Sequence, residues 1–210
     1  MKRPYVLLTS LILILFFIIT MNGCMSHMPH GYTKVPEGQK NYVLKGFSLA
    51  PPQGEEWYVQ MLGESSISFS KKLEQSKNHT YIANIVPFDL PVEIKSKEKF
   101  KELVYESLQI QIKESSRFEI IKYEIALDNR FGEYSVRAHD VEKDYQARNM
   151  PHGANHLIMD TYSFYIKHPT LNKYFRIAYS ERSLPGEISK TIMEDAQRFF
   201  DSVQLITKEN

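Results

Sequence analysis

The chain has 210 residues, 42% of them hydrophobic and 24% charged, which suits one ordinary folded domain behind a short leader. Its 26 basic and 25 acidic residues nearly cancel, so no strong field exists to draw in nucleic acid or an acidic membrane surface. With Cys24 as its single cysteine, the chain cannot form an intramolecular disulfide or a cysteine-rich metal site, and cysteine catalysis is excluded. Twelve Phe and thirteen Tyr, spread along the chain, favour strands.

The leader begins with Met1-Lys2-Arg3, a positive start. Val6 to Met21 is an apolar run of about sixteen residues, shorter than the roughly twenty that span a bilayer as a helix. It has the length of a signal-peptide core, and no Ala-x-Ala-like cleavage site follows. Met21-Asn22-Gly23-Cys24 closes it and resembles the lipobox of bacterial lipoproteins. Gly23 and Cys24 fit that motif. Met21 stands where Leu is common, and Asn22 where Ala, Ser or Thr is common. The resemblance implies that residues 1–23 are removed and that Cys24 becomes an acylated first residue. Acylation would also explain a solitary thiol outside the cytoplasm. The other reading is an uncleaved N-terminal anchor. Either way the folded part faces away from the cytoplasm. Met25 in place of Asp favours the outer membrane, where there is one.

Residues 24–45 read as the lipid-attachment site and a spacer, punctuated by Pro29, Gly31, Pro36 and Gly38. Met25, His27, Met28 and His30 could capture a soft metal, but nothing there would fix their geometry.

A single α+β domain is expected over 46–206, with a polar tail at 207–210. Phe47-Ser48-Leu49 reads as a short strand stopped by Pro51-Pro52. Ile67 to Ser70 alternates, and Thr80 to Val86 is a strand ended by Pro87. Ser96 to Ser115 is a helix with Ser96 as its N-cap and Phe100, Leu103, Val104, Leu108 and Ile112 on one face. Phe118 to Ile125 and Gly132 to Tyr145 follow as strands, and 146–155 as a loop. Tyr162, Phe164 and Ile166, then Phe175, Ile177 and Tyr179, predict a hairpin in which even positions face odd ones. Pairing His168 with Lys173 sets Tyr162 opposite Tyr179, Phe164 opposite Ile177 and Asp160 opposite Glu181. Glu187 to Val203 is a closing helix behind the Pro185-Gly186 turn. The expected architecture is an antiparallel sheet of about six strands packed with two long helices.

Phe47-Ser48-Leu49, Pro51-Pro52 and Trp57 are similar to the opening of PsbP-like domains, and Tyr179-Ser180-Glu181-Arg182 before a final helix is similar to their close. The resemblance implies an α/β/α sandwich. It also implies a binding or assembly role, as in a family of extrinsic, often membrane-associated subunits and assembly factors.

The chain lacks Gly-x-Ser-x-Gly, a phosphate loop, a dinucleotide fingerprint and His-Glu-x-x-His. One grouping could carry chemistry. His152, His156, Asp160 and Glu181 meet near one strand end and could hold zinc or another divalent metal, or share a proton. Arg182, Arg176 and Lys173 could instead neutralise the acids. His139-Asp140 is unsuitable as a catalytic pair, since neighbours on a strand point to opposite faces. Trp57, Tyr58, Tyr162 and Tyr165 could line a groove or pack. The favoured expectation is a membrane-anchored binding or assembly module of the cell envelope, held by lipid on Cys24, with a protein or envelope partner and no cofactor. The alternative is a periplasmic metal-dependent hydrolase or metal-binding protein using His152, His156, Asp160 and Glu181.

Overall fold

Alternating aromatic and β-branched residues build the centre of the molecule. The structure is a computed structural model that describes residues 31–73, 78–90, 94–147 and 150–207. The leader, Cys24, the Met25, His27, Met28 and His30 group, the side chain of Ile112 and residues 208–210 lie outside what is described.

In chain order the described strands are β1 (Thr33–Lys34), β2 (Tyr42–Leu44), β3 (Phe47–Leu49), β4 (Tyr58–Gly63), β5 (Ser66–Lys72) and β6 (Thr80–Phe88). After helix α1 (Lys97–Glu114) come β7 (Phe118–Leu127), β8 (Ser135–Asp144), β9 (Leu157–Lys167) and β10 (Tyr174–Ser183). Helix α2 (Ile192–Ser202) and β11 (Gln204–Leu205) end the described chain. Eight strands form one antiparallel sheet in the order β1-β4-β5-β6-β10-β9-β8-β7, and β11-β3-β2 form a second sheet of three. Among the described residues no helix is long and apolar enough to cross a membrane.

The expected α+β sandwich of about six strands and two long helices is therefore corrected. The described chain is mostly β, with helices of 18 and 11 residues. Strands of two or three residues such as β1, β2 and β11 are too short to show a period, and β4 is half exposed without clean alternation. Two of these short strands fall in the stretch expected to be a spacer. Thr33 and Lys34 pair with Val59 and Tyr58, and Tyr42–Leu44 pairs with β3, so the folded unit already includes much of 31–45.

The predicted hairpin register is the observed one. Tyr162 lies opposite Tyr179, Phe164 opposite Ile177 and Asp160 opposite Glu181, and the His168 N–H donates to Lys173 O at 2.8 Å. Strand β6 runs through Pro87 rather than ending before it. Its pairing with β5 stops at Ile85, so beyond that point one edge is open and a missing N–H does no harm. Helix α2 starts five residues later than expected. The Glu181 carboxylate takes the Ser189 N–H at 2.8 Å, and Glu187 N donates to Leu184 O, so 187–191 turns instead of coiling. For α1 the expected cap is present, Ser96 Oγ accepting from Lys99 N at 3.1 Å.

Elements pack on both faces of the large sheet, and on the α1 side Ile82, Asn84 and Ser180 stay half-buried. One face packs Phe69, Ile85, Phe164, Ile177 and Tyr179 against Phe199 and Phe200 of α2 and Phe47 of the small sheet. The other face packs Val136, Ala138 and Tyr165 against Phe100, Leu103 and Val104 of α1. At the edge opposite β1, strand β7 carries a bulge at Ile121, between Ile120 and Lys122.

His168, fully buried, joins the layers. Its Nδ1 accepts from the N–H groups of Thr170 and Leu171 at 3.3 and 3.2 Å, and its Nε2 donates to Gly46 O at 2.8 Å. Gly46 fits because its φ is +92° and because a Cβ there would lie 2.6 Å from Leu171 and 2.8 Å from the imidazole. Replacing His168 by Ala leaves the Gly46 carbonyl and two turn N–H groups unpaired. Denaturant unfolding of that variant should show a loss of about 2–4 kcal/mol.

Candidate functional site

Asp160 and Glu181 project from the same face, side by side, as their register requires. Each is engaged by a histidine that sequence reasoning did not choose. Glu181 is completely buried, and its Oε1 lies 2.5 Å from His79 Nε2 while also accepting from Ser189 N. The His79 ring stacks on Tyr81, with centroids 5.1 Å apart. Burial, and after it the Glu181 charge, pushes the Tyr81 hydroxyl above the usual tyrosine range. Asp160 Oδ1 lies 2.9 Å from His139 Nε2, and the imidazole lies flat on Tyr162 at 4.1 Å. Glu124 closes in on the other ring nitrogen at 3.7 Å. The two expected histidines are elsewhere. His152 is exposed, and His156 rests against Tyr145, whose hydroxyl donates to Glu119. Among the described residues no three His, Cys, Asp or Glu side chains converge on a metal position.

Asp140 points to the opposite face from His139, as strand geometry requires, and there it joins a second polar group. Asp140, Glu142 and Asp144 alternate along β8 and are all buried. Asp144 is fully satisfied. Arg117 grips it with two hydrogen bonds at 2.8 and 2.7 Å, Arg182 Nη1 adds a third at 3.0 Å, and Gln146 N a fourth at 3.1 Å. Asp140 and Glu142 have no such clamp. Burial raises the Glu142 carboxyl to about 8, with the Asp140 charge adding to it. Burial raises Asp140 to about 6 against the pull of Arg176, whose guanidinium stands over the Tyr165 ring at 5.8 Å.

Around this group six buried side-chain atoms have no hydrogen-bond partner among the described residues. They are Asn84 Oδ1 on β6, Tyr123 OH on β7, Asp140 Oδ1 on β8, Ser163 Oγ on β9 and Arg176 Nε and Arg182 Nε on β10. All six residues share the face that carries α1, since Tyr123 lies opposite Asp140, Asn84 opposite Ala178 and Ser163 between Ala138 and Ala178. Buried polar atoms are nearly always paired, so a row of unpaired ones on one sheet face marks where something polar fits. The sequence holds a trace of this face. Asn84, Ala178, Ser163 and Ala138 put small or polar residues where a purely structural sheet would carry branched apolar ones.

Trp57 and Tyr165 are buried in the two cores and do not line an open groove, and Trp57 Nε1 donates to Gln53 O at 3.0 Å. At the opposite end of the sheet lies a cleft of about 740 Å³ between Phe131, Tyr134, Lys167 and Leu205. Arg130 at its edge is held by Asp201 at 3.2 Å.

No family model matches the chain, and no curated protein matches it. Among solved structures it is similar to a mutant form of the protein Mog1, with 8% identity over 83% of this chain and 95% of that one, at a TM-score of 0.40. It is similar in the same way to the Saccharomyces cerevisiae Ran-binding protein Mog1p, with 8% identity over 83% and 94% at a TM-score of 0.39. A third is LpqN, involved in cell envelope biogenesis of Mycobacterium tuberculosis, with 13% identity over 83% and 90% at a TM-score of 0.34. Likenesses this slight carry neither fold nor function to this chain.

The raised carboxyl of Glu142 has a signed consequence. The folded chain holds that proton more tightly than the unfolded chain does. The contribution is therefore fully present below the ordinary carboxylate range and is lost as pH rises through about 8. Stability of the wild type should fall from about pH 5 to about pH 8. In Glu142→Gln that fall should be shallower by roughly 1 kcal/mol per pH unit, measured by denaturant unfolding across the window.

Proposed function

We propose that the chain is a lipid-anchored binding module of the cell envelope. It is held through acyl chains on Cys24 and presents the polar face of its large sheet to a partner, without turnover. The observation that carries the binding role is the row of unpaired polar atoms on Asn84, Tyr123, Asp140, Ser163, Arg176 and Arg182. Half-buried Asn84 is where a partner would reach the edge of this group, and hydrogen bonds made there would offset a desolvation cost, a source of affinity and of specificity. The anchor is supported by the positive start, the sixteen-residue apolar run and the solitary Cys24 behind Gly23. The slight likeness to LpqN is no part of this support. No observation of its own favours the metal-dependent alternative.

Radiolabelled palmitate should enter the wild type and be absent from Cys24→Ala, and label retained by that variant would refute the anchor. For the binding face, a photo-crosslinking residue placed at Asn84 in intact membranes should give a discrete adduct. The same residue at exposed Glu194 should give none. Identical adduct patterns at the two positions would refute the polar face as the binding surface.

A further inference from the structure

We infer that one end of the large sheet, marked by Met61 and Leu62 and joined there by Val43 of the small sheet, lies against the lipid surface in which the anchor sits. This rests on the lipid-anchor reading of Cys24 and adds an orientation to it.

The position of the first described residues sets the geometry. Strand β1 is antiparallel to β4, with Lys34 opposite Tyr58 and Thr33 opposite Val59. Followed backwards, the chain therefore runs beside Gln60 and Met61 toward the β4–β5 turn. Gly31 confirms the path, since a Cβ there would lie 2.9 Å from Gln60 Nε2. From Gly31 to Cys24 the chain can reach at most about 25 Å, the extended length of seven residues. An acylated Cys24 thus keeps the β4–β5 end of the sheet close to the membrane and leaves the opposite end, with His79, Glu181 and α2's first turn, far from it.

That near end carries apolar side chains turned outward. Met61 and Leu62, on the strand leading into the turn, are 53% and 42% exposed. The β2–β3 turn joins them there, because Lys45 N donates to Glu64 O at 2.8 Å. Two residues before Lys45, Val43 is 73% exposed. Single exposed apolar residues need no explanation, but three where a corner of the large sheet meets the small one form a patch. The nearest acid does not oppose contact with lipid headgroups, because Glu64 is paired with Lys45 at 3.6 Å. Medium-sized apolar side chains beside a lysine suit the boundary between headgroups and acyl chains, where Lys can keep its ammonium in water.

The test uses the full chain, acylated in a lipoprotein-processing bacterium and reconstituted into phosphatidylcholine–phosphatidylglycerol vesicles. With Cys24 acylated, an engineered cysteine is the sole free thiol and takes an environment-sensitive fluorophore. Leu62→Cys and Val43→Cys probe the patch, and Met193→Cys, an equally exposed apolar position on α2, probes the far end. Lipids carrying a nitroxide at a shallow acyl position should quench the label at 62 and at 43 several-fold more than the label at 193. Equal quenching at all three positions, or none at 62 and 43 in protein that floats with the vesicles, overturns the inference and leaves the patch to a protein partner. A different result identifies failure of the anchor itself. Wild-type protein that takes the thiol label at Cys24 and does not float sinks the anchor reading, and this orientation with it.

Discussion

One buried imidazole holds the layers of this molecule in register. His168 sits in the turn of the central hairpin, accepts two turn N–H groups through Nδ1 and donates through Nε2 to Gly46. That pattern is available only to a neutral ring with its proton on Nε2. The turn it closes sets which residue of β9 faces which residue of β10. A slip of one position would send Phe164 and Ile177 to the opposite face. The bond to Gly46 then docks the small sheet, and Ile206 N donates to the same carbonyl, so the chain's last strand is tied to the same point.

From that register the two faces of the sheet diverge. The side that meets α2 is aromatic, with Phe47, Phe175, Phe164 and Phe200 in edge-on contacts near 5 Å. The side that meets α1 gathers Phe88, Tyr165 and Phe100 at one end, and has Tyr105 packed near Tyr123 beside Asp140. Toward the other end it becomes a layer of carboxylates, guanidinium groups and small residues. Asp144 shows what such a layer needs to be stable, with every lone pair directed at a donor. Asp140 and Arg176 show the opposite condition. Their charges face each other loosely, and one atom of each lacks a partner among the described residues.

The sequence was most legible where alternation is long. The β9–β10 register, the α1 cap at Ser96 and the opposite orientations of His139 and Asp140 all follow from periodicity. The number of strands did not follow. β1, β2 and β11 are recruited by neighbours distant in sequence, and a two-residue strand has no period to read. The helical content was overstated at α2, where a local carboxylate outcompeted the helix for the Ser189 N–H. Of the candidate site, the adjacency of Asp160 and Glu181 was visible because a short turn fixes it. Their true partners were not. His139 reaches Asp160 through the β8–β9 pairing, which a long loop sets, and His79 reaches Glu181 from just before β6, whose Tyr81 lies opposite Glu181. A hint was present at His139, an odd position of β8 that must share a face with Tyr162.

The bulge at Ile121 concerns more than the strand that contains it. β7 is a ten-residue outer strand, long enough to offer a template to another copy. The extra residue twists its outer rim out of line, and Glu119, Lys122 and Glu124 along it are already paired with neighbours in their own molecule. If the chain is held on a membrane as proposed, its copies would meet far more often than in bulk solution, and a bulged, charged edge would hinder their pairing edge to edge.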